Sequence, residues 1–457
     1  MKHPATLILF VICIFWLDQN IALGQWSQLN LSESKFQVFA AAAGSKVLFG
    51  GGVIGGLVST PHKVEIYDVE NEEWSYFEHA AGHHGAGVTA TEDKIFIGGG
   101  LDFVNGQGTN FDEVDIYDVS NDSWDSTHLS IARNSLSAAA AGGKVLFAGG
   151  NDQTRALSQF NDFDVVDIYD QATGTWDTAY LSQSRYGMFK AAVGTKILFA
   201  GGARNSDTEA SAVVDIYDVA TDTWSTAALS VARAAGGSAT VGKYVIFAGG
   251  INTEGSSDAV DIWDSEEDTW TTANLSLARG FLTAGSIGNK AFFAGGGGVD
   301  LANAFLNSST SRVDIFDAST GGWSTAEMPT SRTAVYGTVS CDQLFIPGGW
   351  TPETGFMQRS IDVYTEADFQ CITSRASELS LSSQIRLSPN PVYGELNIEN
   401  LPQNLEYLEI LDQYGRTRLI LQGKTPSRAD VSGLSRGWYC LRLSTPQGAI
   451  SLPFIKM

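Results

Sequence analysis

Short apolar segments that end in small or polar turn residues recur through residues 25 to 372. Examples are KVLFAGG at Lys144 to Gly150 and VDIYD at Val166 to Asp170, which are rich in β-branched and aromatic residues. Segments of this length and composition, bounded by Gly, Asp, Asn and Thr, predict β-strands. The pattern therefore predicts an all-β fold built from many short strands.

The strands belong to a unit that is repeated seven times at intervals of 46 to 53 residues. Each copy has a glycine pair 25 residues after a tryptophan, and an aromatic residue seven positions before the next tryptophan, as in Tyr217 and Trp224. The glycine pairs are Gly51-Gly52, Gly99-Gly100, Gly149-Gly150, Gly201-Gly202, Gly249-Gly250, Gly295-Gly296 and Gly348-Gly349. Fixed spacing at this period is the sequence signature of a repeat architecture.

This arrangement resembles the kelch repeat, over residues 25 to about 372. The resemblance implies a seven-bladed kelch β-propeller in which each copy forms four antiparallel strands. The seventh copy carries Cys371 where its tryptophan is due, while Trp26 stands without a preceding aromatic. We therefore expect the strand at Trp26 to complete the seventh blade and close the ring.

Residues 1–24 have the features of a secretory signal peptide, with Lys2, an apolar run from Leu7 to Leu17 and small residues before Gln25. This apolar run is too short to span a bilayer as a helix, and no later segment approaches the length of about 18 apolar residues that a span needs, so we expect no membrane span. Removal of the leader leaves Cys341, Cys371 and Cys440. Because Cys341 and Cys371 lie in the same repeat, they are the candidate disulfide, and free thiols are the alternative.

The composition changes after the last repeat. Residues 373–385 form a serine-rich linker, and residues 386–457 resemble the C-terminal sorting domain of the Bacteroidetes type IX secretion system. The matching features are the SPNP opening at Ser388 to Pro391, the DQYGR turn, the LSRGWY hairpin and Lys456 near the end. The resemblance implies a small antiparallel β-sandwich, interaction with the type IX machinery, and a protein that is secreted or held on the outer-membrane surface.

Charge narrows the choice of partners. Residues 386–457 hold 8 Lys/Arg and 6 Asp/Glu, so the remainder of the chain, with 20 basic and 45 acidic residues, carries a formal charge of −25. An acidic surface repels phosphate backbones, which disfavours nucleic acid as a partner. We expect a monomer whose ligand is a glycan or a protein.

Length variation is confined to the loops between the second and third strands of each repeat, all on one face of a propeller. These loops contain aromatic and acidic residues that are suited to binding a ligand by stacking and hydrogen bonding. The alternative is that the aromatic side chains stabilise their own loops. They are Asp102, Phe103, Phe111, Phe160, Asp162, Phe163, Asp164, Phe305, Trp350 and Phe356. Trp350 is a candidate ligand-binding residue.

A basic residue stands nine positions after each of the seven tryptophans that precede a glycine pair by 25 residues, and we call this set the basic ring. Its members are Lys35, His83, Arg133, Arg185, Arg233, Arg279 and Arg332. One hypothesis is a collar at the channel entrance that binds an acidic sugar or a carboxylate-bearing peptide. The other is a set of ion pairs to carboxylates of the VDIYD strands, such as Asp115, Asp167, Asp215, Asp261 and Asp314.

Enzyme motifs are sparse, and no catalytic residue is assigned. Some kelch propellers are copper-radical galactose oxidases or sialic acid epimerases, so a carbohydrate-acting isomerase or oxidase is the alternative function. The copper ligand arrangement of galactose oxidases cannot be placed in this sequence. His79, His83 and His84 cluster, but histidines in loops more commonly form local hydrogen bonds, and no metal is assigned. No cofactor is expected, apart from calcium as a possibility at Asp162, Asp164 and Asp167.

Overall fold

Seven four-stranded antiparallel sheets follow one another in the part of the chain before residue 367 that the structure describes. The structure is a computed structural model that describes residues 24–54, 60–79, 82–104, 107–153, 160–205, 209–300, 305–366, 385–399, 401, 407–412, 417–421, 427–445 and 448–457. We number the sheets as blades 1 to 7 and label their strands a to d from the inside outward.

Strands a to d of the first four blades have the following bounds. Blade 1 has Phe36–Ala43, Lys46–Val53, Lys63–Asp68 and Glu73–Glu78. Blade 2 has Gly87–Ala90, Lys94–Gly98, Glu113–Asp118 and Ser123–His128. Blade 3 has Ser137–Ala141, Lys144–Ala148, Val165–Asp170 and Thr175–Tyr180. Blade 4 has Phe189–Val193, Lys196–Ala200, Val213–Asp218 and Thr223–Ala228.

The other three blades follow the same order. Blade 5 has Gly237–Val241, Tyr244–Ala248, Ala259–Asp264 and Thr269–Asn274. Blade 6 has Thr283–Ile287, Lys290–Ala294, Thr310–Asp317 and Gly322–Arg332. Blade 7 has Thr338–Ser340, Gln343–Pro347 and Ser360–Thr365, with Gln25–Asn30 as strand d.

Short two-stranded hairpins extend five of the loops between strands b and c. They pair Leu101–Val104 with Gln107–Asn110, Ala203–Arg204 with Glu209–Ala210, Ile251–Asn252 with Gly255–Ser256, Val299–Asp300 with Phe305–Leu306, and Trp350–Thr351 with Phe356–Met357.

The a strands of successive blades pack against one another, and strand a of blade 7 packs against strand a of blade 1. The sheets therefore close into a ring around a central channel. The expected seven-bladed β-propeller is confirmed.

The hydrophobic core lies between neighbouring blades. Between blades 2 and 3, for example, Phe96 and Ile116 pack against Val145 and Phe147 of the next sheet. Because each blade is covered on both faces, strands b and c bury nearly every side chain, as in Val145 to Ala148. Burial of a large apolar side chain contributes about 1.5 to 3 kcal/mol, so these interfaces are a major source of stability.

The repeated aromatic and tryptophan form one pair across strands c and d. Tyr169 lies opposite Trp176, with ring centroids 5.0 Å apart, and the Trp176 indole donates a hydrogen bond to the hydroxyl of Thr127 in blade 2 at 2.9 Å. The pair therefore fills the outer part of the gap between blades.

The segment that follows the expected leader forms the outer strand of blade 7. Trp26 lies opposite Tyr364 with ring centroids 5.2 Å apart, and the Gln28 amide donates to Asp362 at 2.7 Å. The N-terminal and C-terminal ends of the repeat region are thus joined in one sheet. This pairing leaves no open seam between blades 7 and 1.

The region after residue 385 forms two antiparallel sheets with a common core. One sheet consists of Arg386–Ser388, Glu395–Glu399 and Arg428–Asp430; the other consists of Thr417–Leu421, Tyr407–Asp412, Gly437–Thr445 and Gly448–Lys456. Leu396 of the first sheet and Ile410, Leu441 and Phe454 of the second are fully buried in this core. The expected small antiparallel sandwich is present.

Several sequence predictions fall on residues that the structure does not describe. Except for Gly24 and Ile385, the leader at 1–24 and the linker at 373–385 lie outside the described residues and stay predictions. Cys341 is disulfide-bonded, while Cys371 also lies outside the described residues.

Candidate functional site: the b–c loop face and the basic ring

Two kinds of connection meet on one face of the propeller. Ser137, at the start of strand a in blade 3, pairs with Ala148, at the end of strand b. The loop after strand b and the crossover that enters strand a therefore lie at the same end of each sheet. We call this end the b–c face, and the basic ring lies in its crossovers.

The side chains of the basic ring are buried and paired with carboxylates, and ligand binding by this ring stays a prediction. Lys35, His83, Arg133, Arg185, Arg233, Arg279 and Arg332 are each 0 to 2% exposed. Their respective acidic partners are Glu65, Asp115, Asp167, Asp215, Asp261, Asp314 and Asp362, all on strand c of the same blade. Each basic side chain is thus surrounded by protein and held by a carboxylate of its own blade. The pairs with carboxylates of strand c are those that the ion-pair hypothesis predicts.

Blade 5 shows how each pair works. Arg233 Nη1 lies 2.7 Å from Asp261 Oδ2, while its Nε and Nη2 donate to the carbonyls of Gly249 and Phe247 at 2.9 and 3.0 Å. The other oxygen of Asp261 accepts a hydrogen bond from the backbone N–H of Ser230, at the end of blade 4, at 2.8 Å. The pair thus fastens the crossover from one blade onto the strands of the next.

Two electrostatic effects on the pKa of Arg233 oppose each other. Burial lowers the pKa of Arg233, and the nearby Asp261 carboxylate counteracts that effect. Removing either partner would leave an unpaired charge in a dry site, which is strongly unfavourable. The ion pairs of the basic ring therefore contribute to the stability of the propeller.

Blade 2 is different because histidines replace the arginine. His79 Nδ1 and His83 Nε2 each lie 2.8 Å from Asp115 Oδ2, and His83 Nδ1 lies 2.9 Å from the carbonyl of Gly99. Burial disfavours charge on His83, but the hydrogen bond and charge of Asp115 outweigh it and raise the pKa of His83. Asp115, also despite burial, has its pKa lowered by the two histidines. His84 is not part of this group of three residues. Burial lowers the pKa of His84 to about 4, so this histidine is neutral at pH 7.

The proposed calcium ligands do not assemble. Asp167 is paired with Arg133 at 2.8 Å, and Asp162 accepts a hydrogen bond from the backbone N–H of Asn205 at 2.5 Å. In the described part of the chain, Asp162, Asp164 and Asp167 do not form a group with metal-ligand spacing. Calcium at these residues stays a prediction.

A chain of backbone hydrogen bonds surrounds the channel entrance on the b–c face. At one equivalent position in each blade, near the start of strand a, the residue has φ between 50° and 70°. These residues are Gln37, Gly85, Ser135, Gly187, Ala235, Phe281 and Ala334. Ser135 N donates to Gly85 O, Gly187 N to Ser135 O, and Ala235 N to Gly187 O, at 2.7 to 3.2 Å. We call this rim the mouth. Its backbone is fixed by neighbouring blades, which provides a rigid base for side chains above it.

Aromatic side chains lie next to the mouth. Trp350 is half-buried and its ring centroid lies 6.3 Å from that of Phe36, across the junction of blades 7 and 1. Phe160 contacts Tyr186 at 5.4 Å, and Phe103 contacts His84 at 5.7 Å. The side chain of Phe305 is not among those described. Trp350 thus lies where the sequence analysis expects a ligand-binding residue.

Some buried polar atoms near the mouth have no hydrogen-bond partner among the described atoms. Asn151 Nδ2 and Thr333 Oγ1 are buried and, among the described atoms, have no hydrogen-bond partner; the same holds for His84 Nδ1. Thr333 exchanges backbone hydrogen bonds with Trp350 at 2.9 and 3.0 Å, so its hydroxyl lies beside the indole. A buried polar group without a partner is costly, which favours a bound water or ligand at these positions. Asn151 and Thr333 could not be predicted as site residues, because residues of these types are common in turns.

A histidine and a carboxylate pair in the loops of blades 1 and 2. His62 Nε2 lies 3.1 Å from Asp102 Oδ2, and the Thr60 hydroxyl donates to the other oxygen of Asp102. The imidazole of His62 is 39% exposed, whereas Asp102 is largely buried. This arrangement orients one exposed imidazole on the b–c face, which sequence reasoning missed because the residues belong to different repeats.

The central channel contains one long basic side chain at the level of the inner strands. Lys190, on strand a of blade 4, donates from Nζ to the carbonyl of Val88 on strand a of blade 2, at 2.6 Å. The two blades are not neighbours, so the side chain crosses part of the channel. The surrounding protein lowers the pKa of Lys190 to about 8.

Comparison with known proteins identifies the C-terminal region. Residues 386–456 match the family described as the secretion system C-terminal sorting domain. The protein is therefore an exported propeller that is secreted or located on the outer-membrane surface, and its sorting domain interacts with the type IX secretion machinery. In the described residues there is no helix with the length and apolarity of a membrane span.

No curated protein matches the sequence. Among solved structures, one titled "Structure of YjhT" is 17% identical, with a TM-score of 0.47, and the alignment covers 61% of this chain and 94% of that one.

Proposed function

We propose that the protein is an exported propeller that binds a glycan at the mouth of the b–c face. The observation that carries the proposal is Trp350, a half-buried indole next to Phe36 and to the unpartnered hydroxyl of Thr333. A flat aromatic surface beside hydrogen-bonding groups is suited to a sugar, whose ring presents an apolar face and hydroxyls at its edge. The rigid mouth would hold these groups in place before the ligand arrives.

A glycan array with the mature chain, from Gln25 onward, tests the proposal. Hits are then measured by calorimetry with the wild type, Trp350→Ala and Tyr76→Ala. Tyr76 is the matched control, because it is an aromatic residue that is 66% exposed but lies on the outer strand of blade 1. We expect Trp350→Ala to weaken binding by at least about tenfold, the equivalent of 1.4 kcal/mol, and Tyr76→Ala to have no effect. A protein ligand instead of a glycan, or equal binding by both variants, would contradict the proposal.

A carbohydrate-acting enzyme on the same face is the second candidate. The observation that favours it is the exposed His62 imidazole, held by a carboxylate that is itself held by Thr60. A histidine fixed in this way is suited to general acid–base catalysis. The basic ring would have no part in the chemistry, because it is buried.

Turnover of a sugar panel tests this candidate. Activity of the wild type that is lost in His62→Ala, with glycan binding retained, would support catalysis. Activity that survives in His62→Ala would exclude this histidine, and the absence of turnover would leave glycan binding as the function.

A further inference from the structure

Blade 2 departs from the charge pattern of the basic ring. The other six blades place a lysine or arginine against a buried carboxylate, which provides a permanent positive charge. In blade 2 the corresponding groups are His83 and, from the same crossover, His79, and both side chains are nearly fully buried. One nitrogen of each and one oxygen of Asp115 lie within 4.8 Å of one another.

The hydrogen bonds of His83 orient its ring towards Asp115. A backbone carbonyl only accepts, so the contact between His83 Nδ1 and Gly99 O places a hydrogen on Nδ1. In the neutral imidazole, His83 Nε2 then directs a lone pair at Asp115 Oδ2 from 2.8 Å. The contact with the carboxylate is favourable when Nε2 carries a proton, and equally when a metal cation lies between Nε2 and the carboxylate oxygen.

We propose that a divalent transition-metal ion of the zinc type binds to His79, His83 and Asp115. The ion would supply the charge that lysine or arginine supplies in the other blades. Zn²⁺ binds imidazole nitrogen and carboxylate oxygen at about 2.0 to 2.2 Å, which places tetrahedral ligand atoms about 3.3 Å apart. The two nitrogen-to-oxygen distances of 2.8 Å therefore need to open by a few tenths of an ångström.

The surroundings suit a metal site. The Gly99 carbonyl fixes the orientation of His83 through the nitrogen that does not face Asp115, which is the usual outer partner of a metal-binding histidine. Around His79, the rings of Phe77 and Trp124 lie at 4.8 and 4.9 Å and keep the site dry. Two nitrogen ligands favour zinc or a related ion over calcium or magnesium, which prefer oxygen.

The ion would act on stability, since its ligands span the crossover and strand c. His79 and His83 lie in the crossover from blade 1, and Asp115 lies on strand c of blade 2. Metal binding would therefore fasten this crossover as Arg233 and Asp261 fasten that of blade 5. Because an ion that binds only the folded chain raises its stability, chelation would lower the melting temperature.

Metal content and thermal stability test the proposal. The untagged mature chain is unfolded, freed of metal with a chelator, refolded with or without one equivalent of Zn²⁺, and dialysed. The variants are His79→Ala, His83→Arg and, as a control, His128→Ala, whose imidazole is 67% exposed. His83→Arg restores the charged residue of the other blades, so it separates loss of metal from loss of folding.

We expect the wild type and His128→Ala to retain one zinc per chain by mass spectrometry and to melt at a lower temperature when refolded without it. His83→Arg should retain none, and its melting temperature should not depend on zinc. With Co²⁺ in place of zinc, the wild type should show the visible absorption bands of a tetrahedral site, and His79→Ala should not. Failure of the wild type to retain zinc, or equal retention by His83→Arg, would overturn the proposal.

Discussion

Arg233 and Asp261 form an ion pair that solvent does not reach, with Nη1 and Oδ2 2.7 Å apart and the two side chains 0% and 3% exposed. The pair joins a crossover to the next blade, and closely similar pairs occur around the propeller. The pair lies at the b–c face but is buried beneath its surface.

Removal of Arg233 should affect stability and leave binding unchanged. Arg233→Ala leaves Asp261 buried without a partner, which costs about 3 to 5 kcal/mol. Denaturant unfolding gives the loss in the free energy of unfolding, and Arg204→Ala, at a residue 29% exposed on the same face, should cost less than about 1 kcal/mol. Loss of ligand binding by folded Arg233→Ala, without loss of stability, would restore the collar hypothesis.

Closure of the ring by the N-terminal strand can be tested by deletion. Removing Gln25 to Leu31 takes away six residues paired with Ser360–Thr365, together with the buried Leu31. The strand Ser360–Thr365 then becomes an unprotected edge, so we expect a lower melting temperature and self-association. Light scattering after size exclusion measures the second effect, with Ser27→Ala as the control. An equally stable monomer would show that the strand is dispensable.

Two glycines with nearly the same backbone conformation should differ in tolerance to alanine. Gly149 has φ of 62° and Gly194 has φ of 58°, but a Cβ on Gly149 would lie 2.2 Å from the carbonyl oxygen of Arg185, whereas one on Gly194 would meet nothing within 4 Å. Gly194→Ala should cost about 1 to 2 kcal/mol from backbone strain alone, and Gly149→Ala about 1 to 3 kcal/mol more from the collision. Equal losses in denaturant unfolding would contradict the close packing of the glycine pair.

Asp68, the last residue of strand c in blade 1, should make the free energy of unfolding depend on pH in the acidic range. Burial alone would raise the pKa of Asp68, but hydrogen bonds from Asn71 at 2.7 Å and Lys46 at 3.0 Å outweigh it and lower the pKa to about 2. A lowered pKa gives stability that is fully present above the usual value near 4 and is lost as the pH falls towards 2.

Asp68→Asn should therefore be less stable than the wild type by about 1 to 2 kcal/mol at pH 7, after allowance for the partly exposed Lys46. The difference should disappear near pH 2. Denaturant unfolding as a function of pH measures it, and a difference that stays constant with pH would show that the charge of Asp68 is not responsible.

The sequence predicts the number of blades because the spacing from Trp224 to Gly249 repeats without change. It predicts the positions of the basic ring for the same reason. It does not predict that the ring is buried. Asp261 lies between Val260 and Ile262, and this alternation is typical of a strand with one exposed face, but strand c is covered by blades on both sides and all three residues are buried.

The candidate site is less predictable than the fold. Trp350 stands out in the sequence because it directly follows a glycine pair, but Thr333 and Asn151 are ordinary turn residues. They reach the mouth because residues 333 and 350, like residues 134 and 151, form isolated bridges between a crossover and a loop. Contacts between His62 and Asp102 likewise join two repeats, and repeat spacing contains no information about them.

We expect the protein to bind its ligand at the mouth, through Trp350, and not through the basic ring. The most direct measurement compares the affinity of one array-identified glycan for the wild type, Trp350→Ala and Arg233→Lys, which keeps the charge of the ring. We expect Trp350→Ala to weaken the affinity at least about tenfold and Arg233→Lys to leave it unchanged. Unchanged affinity in Trp350→Ala, with a loss in Arg233→Lys, would contradict this expectation.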